Sequence, residues 1–107
     1  MTITRNIRKM FAAITLLLLC SSANAQVEDA KYAHLLNMCV ACHGIDGESK
    51  FTSIPNLKWQ NSQYIVAQLQ AFKSGQRNDI TMSKVAKLLS EQDMQKMANY
   101  FNQGKGH

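Results

Sequence analysis

The sequence predicts an all-α domain, and three observations carry that expectation. Apolar residues recur at helical spacing in three separate stretches, and glycine or capping residues punctuate them. No run alternates apolar and polar residues as a half-buried strand would. The chain also holds Cys39-Val40-Ala41-Cys42-His43, a C-x-x-C-H stretch that offers a small helical domain a covalent cofactor to fold around.

The elements follow in order. A first helix is expected from Glu28 to Cys39, where Ala30, Ala33, Leu36 and Met38 supply apolar positions and Glu28 and Asp29 suit a helix N-terminus. The stretch from His43 to Gln60 reads as loop, with Gly44, Gly47, Ser49, Ser53, Pro55 and Asn56. Asn61 or Ser62 caps a second helix that runs through Ser74, with Ile65, Val66, Leu69 and Phe72 as its stripe and Gly75 at its C-terminal cap. Gln76 to Thr81 is a polar loop. Met82 to Leu89 forms a short helix with Val85, Leu88 and Leu89 inward. Ser90-Glu91-Gln92-Asp93 has the form of a capping box and opens a last helix to about Asn102, with Met94, Met97, Ala98 and Phe101 on one face and Gly104 as its end.

The N-terminus reads as a secretory signal. Arg5, Arg8 and Lys9 precede an apolar run from Met10 through Leu19, and Ala23-Asn24-Ala25 supplies a small-x-small cleavage site before Gln26. Residues 1–25 are therefore expected to be cleaved, leaving a domain of residues 26–107. The apolar run falls short of the roughly 20 residues that span a bilayer, so the mature chain is not expected to cross a membrane. Cys20, after Leu17-Leu18-Leu19, is expected to leave with the leader rather than carry a lipid. Removing the leader takes Lys+Arg from 12 to 9 against 7 Asp+Glu, so the mature chain is only +2 and its basic character is largely that of the leader. No basic run remains to suggest nucleic acid as a partner.

The mature chain keeps two cysteines, Cys39 and Cys42. A C-x-x-C alone also serves thiol–disulfide enzymes and zinc sites. The first requires a thioredoxin-like βαβ pattern that this sequence lacks. For zinc, two thiols and one adjacent imidazole make a poor tetrahedral set. The following His43 and the export signal point instead to one haem c per chain. Its vinyl groups would be bonded by Cys39 and Cys42, and its iron bound on one face by His43. A domain this small also gains from a covalent staple, which the haem provides.

The second axial ligand is sought among the methionines. Met38 adjoins Cys39 and is tethered to the wrong face. Met94 and Met97 lie on the core stripe of the last helix. Met82 follows a polar loop 39 residues after His43, enough chain to wrap around a haem, with ordinary core packing as its alternative. His34, on the first helix, reads as a surface or partly buried residue, and His107 as a disordered terminus. No nucleophile–base pair or carboxylate dyad suggests catalysis by the chain itself.

Taken in order, Cys39–Gly44 with Gly47, Pro55-Asn56-Leu57, Gln68-Leu69, Phe72-Lys73-Ser74-Gly75-Gln76-Arg77, Met82, Leu89 to Met94 and Ala98 to Phe101 span nearly the whole mature chain. In these residues the chain resembles the small class I bacterial c-type cytochromes, in the branch of cytochrome c-553 and the single-domain relatives of dihaem cytochrome c-4. The resemblance implies a class I cytochrome c fold, with three main helices and a short one wrapped around one haem. It also implies Met82 as axial ligand, and a Pro55 carbonyl that accepts the Nδ1 proton of His43. In this fold the first and last helices cross, with Tyr100 and Phe101 at the crossing. One departure is Lys58-Trp59-Gln60, where relatives carry a small Ala-Gly pair before the Gln. Trp59, Tyr64 and Phe72 are expected to pack on the haem or the core, with Trp59 altering packing near the haem edge. Lys73, Arg77, Lys84 and Lys87 either form a positive rim for an acidic redox partner or are ordinary solvated surface.

The expected function is that of a periplasmic one-electron carrier, monomeric and not itself an enzyme. It would exchange electrons with protein donors and acceptors in transient complexes. The alternative is the cytochrome subunit of a larger redox enzyme, such as a sulfide-oxidising flavocytochrome or a dehydrogenase. An open-site sensing or peroxidatic haem protein requires that Met82 not bind iron.

Overall fold

Helix α1, Thr2–His43, opens the computed structural model, which describes residues 2–105 and, within α1, leaves out the side chains of residues 12–22. His107 lies outside the described residues. Three further helices follow: α2 Ser62–Ser74, α3 Met82–Lys87 and α4 Glu91–Gln103. Among the described residues there is no strand, and no helix is long and apolar enough to cross a membrane.

The chain divides into two compact units at His34/Leu35. The first is the N-terminal part of α1. The expected helix start at Glu28 is therefore displaced, because the helix already runs from Thr2. Its physical reason is in the sequence: no Gly or Pro occurs before Gly44, and the Ala- and Leu-rich leader favours helix. The helix stops where a glycine lets it stop, at Gly44 with φ +87°.

The second unit, Leu35–His107, holds the core. Leu35 from α1, Ile65, Leu69 and Phe72 from α2, Ala86 from α3, and Met94, Met97, Ala98 and Phe101 from α4 are buried, together with Leu89 after α3. Helix α2 packs against both α3 and α4. The helix ends are chemically explicit. Asn61 Oδ1 accepts from Tyr64 N–H at 3.0 Å to open α2, and Gly75 closes it in the left-handed region at φ +84°. At α4, Ser90 Oγ accepts from Asp93 N–H at 3.1 Å while Asp93 Oδ2 accepts from Ser90 N–H at 2.9 Å. This reciprocal box satisfies two otherwise orphaned donors and lets the Asp93 carboxylate sit buried. At the end of α1, the imidazole of His43 meets the ring of Phe101 edge-on, with centroids 6.3 Å apart. The Tyr100 hydroxyl donates to the Ile45 carbonyl just beyond. Tyr100 and Phe101 thus hold the last helix to the end of the first.

Candidate functional site

A cavity of about 490 Å³ opens between the end of α1, the loop 44–61, α2 and the start of α3. Its apolar walls include Ile54, Leu57, Ile65, Leu69 and Phe72, and its polar groups come from Gln60, Tyr64, Gln68, Arg77, Asn78, Asp79 and Thr81. The volume suits a cofactor-sized molecule.

Cys42 and His43 enter this cavity from the last turn of α1, and Met82 enters from the first residue of α3. Met94 and Met97 are fully buried in the core, as their stripe suggested, and Met38 is partly exposed. Among the described residues Met82 is the one methionine that lines the cavity. Cys39 is half-buried one turn back on α1. Burial pushes its thiol up to about 11, with a backbone hydrogen bond working against the shift and the charge of Cys42 adding to it. A thiol–disulfide enzyme needs the opposite shift, toward a thiolate at neutral pH.

His43 is buried, and its Nδ1 lies 2.8 Å from the Pro55 carbonyl oxygen. A carbonyl can only accept, so Nδ1 carries the proton, and in the neutral ring this tautomer leaves the lone pair on Nε2. The loop that brings Pro55 to this position is tied at several points. Gly47 O accepts from Leu57 N–H at 2.7 Å and Lys58 N–H at 3.1 Å. Ser49 donates through Oγ to Cys42 O at 2.9 Å, and its N–H reaches Asn56 Oδ1 at 2.7 Å. Lys58 Nζ bridges Asp46 at 3.0 Å and Glu48 at 3.4 Å. A Cβ on Gly44 would come within 2.1 Å of Glu48 O, and one on Gly47 within 2.6 Å of Lys58 N, so both positions require glycine. The Glu48 N–H and then the Lys58 ammonium hold the Asp46 carboxyl below its usual range. Burial, followed by the Asp46 charge, raises Tyr100.

Several expected neighbours need separate placement. Phe72 is buried and lines the cavity, and Tyr64 lines it from a half-exposed position. Trp59 does neither. It is 70% exposed and absent from the cavity wall, so the expected packing on the haem or core is corrected. The cause is backbone geometry. Trp59 has φ +61°, and its N–H is held by Phe101 O at 3.0 Å, which turns the indole outward. There it lies beside Gly104 and under the Lys58 ammonium, 4.6 Å from the ring centroid. Trp59 thus sits in the left-handed region, the conformation that glycine tolerates best. His34 is exposed. Of the four cations near Met82, Lys73 donates to Leu89 O, and Arg77 donates to Gln68 Oε1 at 2.7 Å while stacking 4.5 Å from the Phe72 centroid. Lys84 and Lys87 border a second, open cleft beside Ile80.

Asp79, in the sequence one residue of a polar loop, lines the cavity and accepts from both Thr81 N–H and Met82 N–H. An Asp just ahead of a short helix is the available signal for such a cap. Ser49 and Asn56 carry no signal beyond that of loop residues, because a loop without periodicity does not disclose its partners.

Comparison with known proteins gives the family. Residues 28–105 match Cytochrome c. Cytochrome c-554(548) of Halomonas halodenitrificans is 36% identical over 70 residues, covering 63% of this chain and 84% of its own length. Cytochrome c4 of Stutzerimonas stutzeri is 36% identical over 78 residues, covering 64% of this chain but 37% of its own length. A thiosulfate dehydrogenase electron acceptor from the same species is 42% identical over 67 residues, covering 59% of this chain and 31% of its own. The chain thus spans well under half of two of these relatives. Its Cys39 and Cys42 have the spacing through which such proteins bind haem c covalently. The chain belongs to the cytochrome c family and is of its small class I type.

Proposed function

We propose that this protein is a periplasmic one-electron carrier whose haem is attached at Cys39 and Cys42 and whose iron is held by His43 and Met82. The observation that carries the reading is the pairing of the His43–Pro55 bond with Met82 on the wall of the same cavity. When bound, haem c supplies an Fe(III)/Fe(II) couple. The residues do the rest. Pro55 O fixes the His43 tautomer, presents Nε2 to the metal and raises the basicity of the ring. The Met82 thioether favours the reduced state and raises the potential. With His43 and Met82 both holding the iron, no coordination position would be left for a substrate, which would suit a carrier rather than a catalyst. Ile65, Leu69 and Phe72 exclude water, and Arg77, the one fixed cation among the described residues lining the cavity, is suited to a haem carboxylate.

Export is supported by the basic and apolar leader with its Ala23-Asn24-Ala25 site, which would release residues 26–107 as a monomeric domain. The relative named as a thiosulfate dehydrogenase electron acceptor supports a carrier that takes electrons from a dehydrogenase in a transient complex. Met82→Ala tests the ligand set. The variant is expected to lose the far-red thioether-to-ferric band, bind CO when reduced and shift to lower potential. An unchanged spectrum and no CO binding would refute Met82 as ligand.

A further inference from the structure

We propose that Asp79 is a positioning residue for the Met82 thioether, fixing the backbone from which that side chain meets the iron. The proposal rests on the His43/Met82 reading above and adds the group that holds the weaker ligand in place.

Met82 is the first residue of α3, a helix of six residues. A single turn and a half is not stable by its own hydrogen bonds. Thr81, at the cap position, contributes no side-chain cap bond. Asp79 supplies it instead. Its Oδ1 accepts from Thr81 N–H at 2.9 Å and from Met82 N–H at 2.7 Å. The Asp79 backbone is closed on the other side of Met82 as well. Asp79 N–H donates to Ser83 Oγ at 3.1 Å, and Asp79 O accepts from Ser83 N–H at 3.0 Å. Met82 is therefore bracketed by four hydrogen bonds to one residue.

This matters because a neutral thioether is a weak ligand for ferric iron. Its occupancy depends on how little freedom the dissociated segment gains. A segment pinned at the Met82 N–H has little to gain, whereas a freed loop competes with ligation through entropy. Asp79 acts through the Met82 backbone and needs no contact with the cofactor.

The experiment uses the haem-loaded protein and exogenous imidazole, which competes with the thioether for ferric iron. Asp79→Ala is expected to raise the apparent imidazole affinity roughly tenfold, the factor set by about 1.4 kcal/mol, and to weaken the far-red band at neutral pH. Helix content by circular dichroism should be retained. Asp79→Asn keeps an Oδ1 that can accept the same two N–H groups and is expected to restore most of the band and the wild-type affinity. Ser83→Ala, which deletes one acceptor and leaves the cap, should move both readouts the same way by less, and serves if Asp79→Ala does not accumulate.

Wild-type band intensity and imidazole affinity in both Asp79→Ala and Ser83→Ala would overturn the proposal. So would an Asp79→Asn variant as perturbed as Asp79→Ala, since charge and not the hydrogen bonds would then be responsible. Failure of the underlying reading is separable: wild-type protein would show no far-red band, and Met82→Ala would leave the spectrum unchanged.

Discussion

Phe101 is the side chain that packs the last helix against His43, and Phe101→Ala measures that packing. It is 1% exposed, among the largest fully buried side chains, and its ring meets His43 on one side and Tyr100 on another, with Tyr100 at 5.1 Å and near-perpendicular. Truncating such a phenylalanine costs about 3–5 kcal/mol through lost transfer energy and the cavity left behind. A compact unit the size of Leu35–His107 has roughly 4–11 kcal/mol in all at the usual per-residue stability. The loss is therefore a large share, and at ~4–8 °C per kcal/mol it lowers the midpoint by roughly 12–40 °C. The hydrogen bond from Trp59 N–H to Phe101 O uses the backbone and survives the substitution, so the change isolates the ring. Thermal unfolding of the haem-loaded protein, followed by circular dichroism, is the assay. Phe51→Ala is the control, because Phe51 is 55% exposed and its loss should stay near 0.5 kcal/mol. A Phe101→Ala midpoint no lower than that of Phe51→Ala would refute the packing argument.

Two further predictions concern the loop after His43. Gly75→Ala meets no atom within 4 Å and should cost only the left-handed term, about 1–2 kcal/mol. Gly44→Ala adds a collision with Glu48 O and should be clearly worse in thermal midpoint and in yield of haem-loaded protein; equal losses would contradict the loop geometry. Asp46 is held below its ordinary value of 3.8, first by the Glu48 N–H and then by Lys58, so its ionised form is favoured in the folded state. Its contribution is complete above that ordinary value and disappears as the pH falls through the lowered one. Between about pH 6 and about pH 3, wild-type protein should lose more thermal stability than Asp46→Asn, and parallel losses would refute the assignment.

The sequence disclosed those parts of the molecule whose chemistry is local. The Asn61 and Ser90 caps, the Gly75 stop and the helix stripes of α2 and α4 depend on a few adjacent residues, and each is found where its residues indicated. The start of α1 is not legible locally, because the same leader residues carry the pattern of a processing signal and a Gly- and Pro-free composition that favours helix. The outward Trp59 depends on a positive φ and on a bond to Phe101, 42 residues away, which no local pattern carries. At the site, Cys42 and His43 were visible from residue type and spacing, and Met82 through the resemblance to the class I cytochromes. The network that positions them was not: Ser49 to Cys42, Lys58 to Asp46 and Asp79 to Met82 join residues across a loop with no period to read. Asp79 alone left a local trace, as a capping residue ahead of a short helix.

The central claim is that Cys39 and Cys42 hold a haem covalently in front of His43. The intact mass of the denatured protein, purified from cells competent in haem attachment, tests it most directly. The expected mass is that of the polypeptide plus one haem, with neither Cys39 nor Cys42 reacting as a free thiol. A bare polypeptide mass with both thiols free would contradict it.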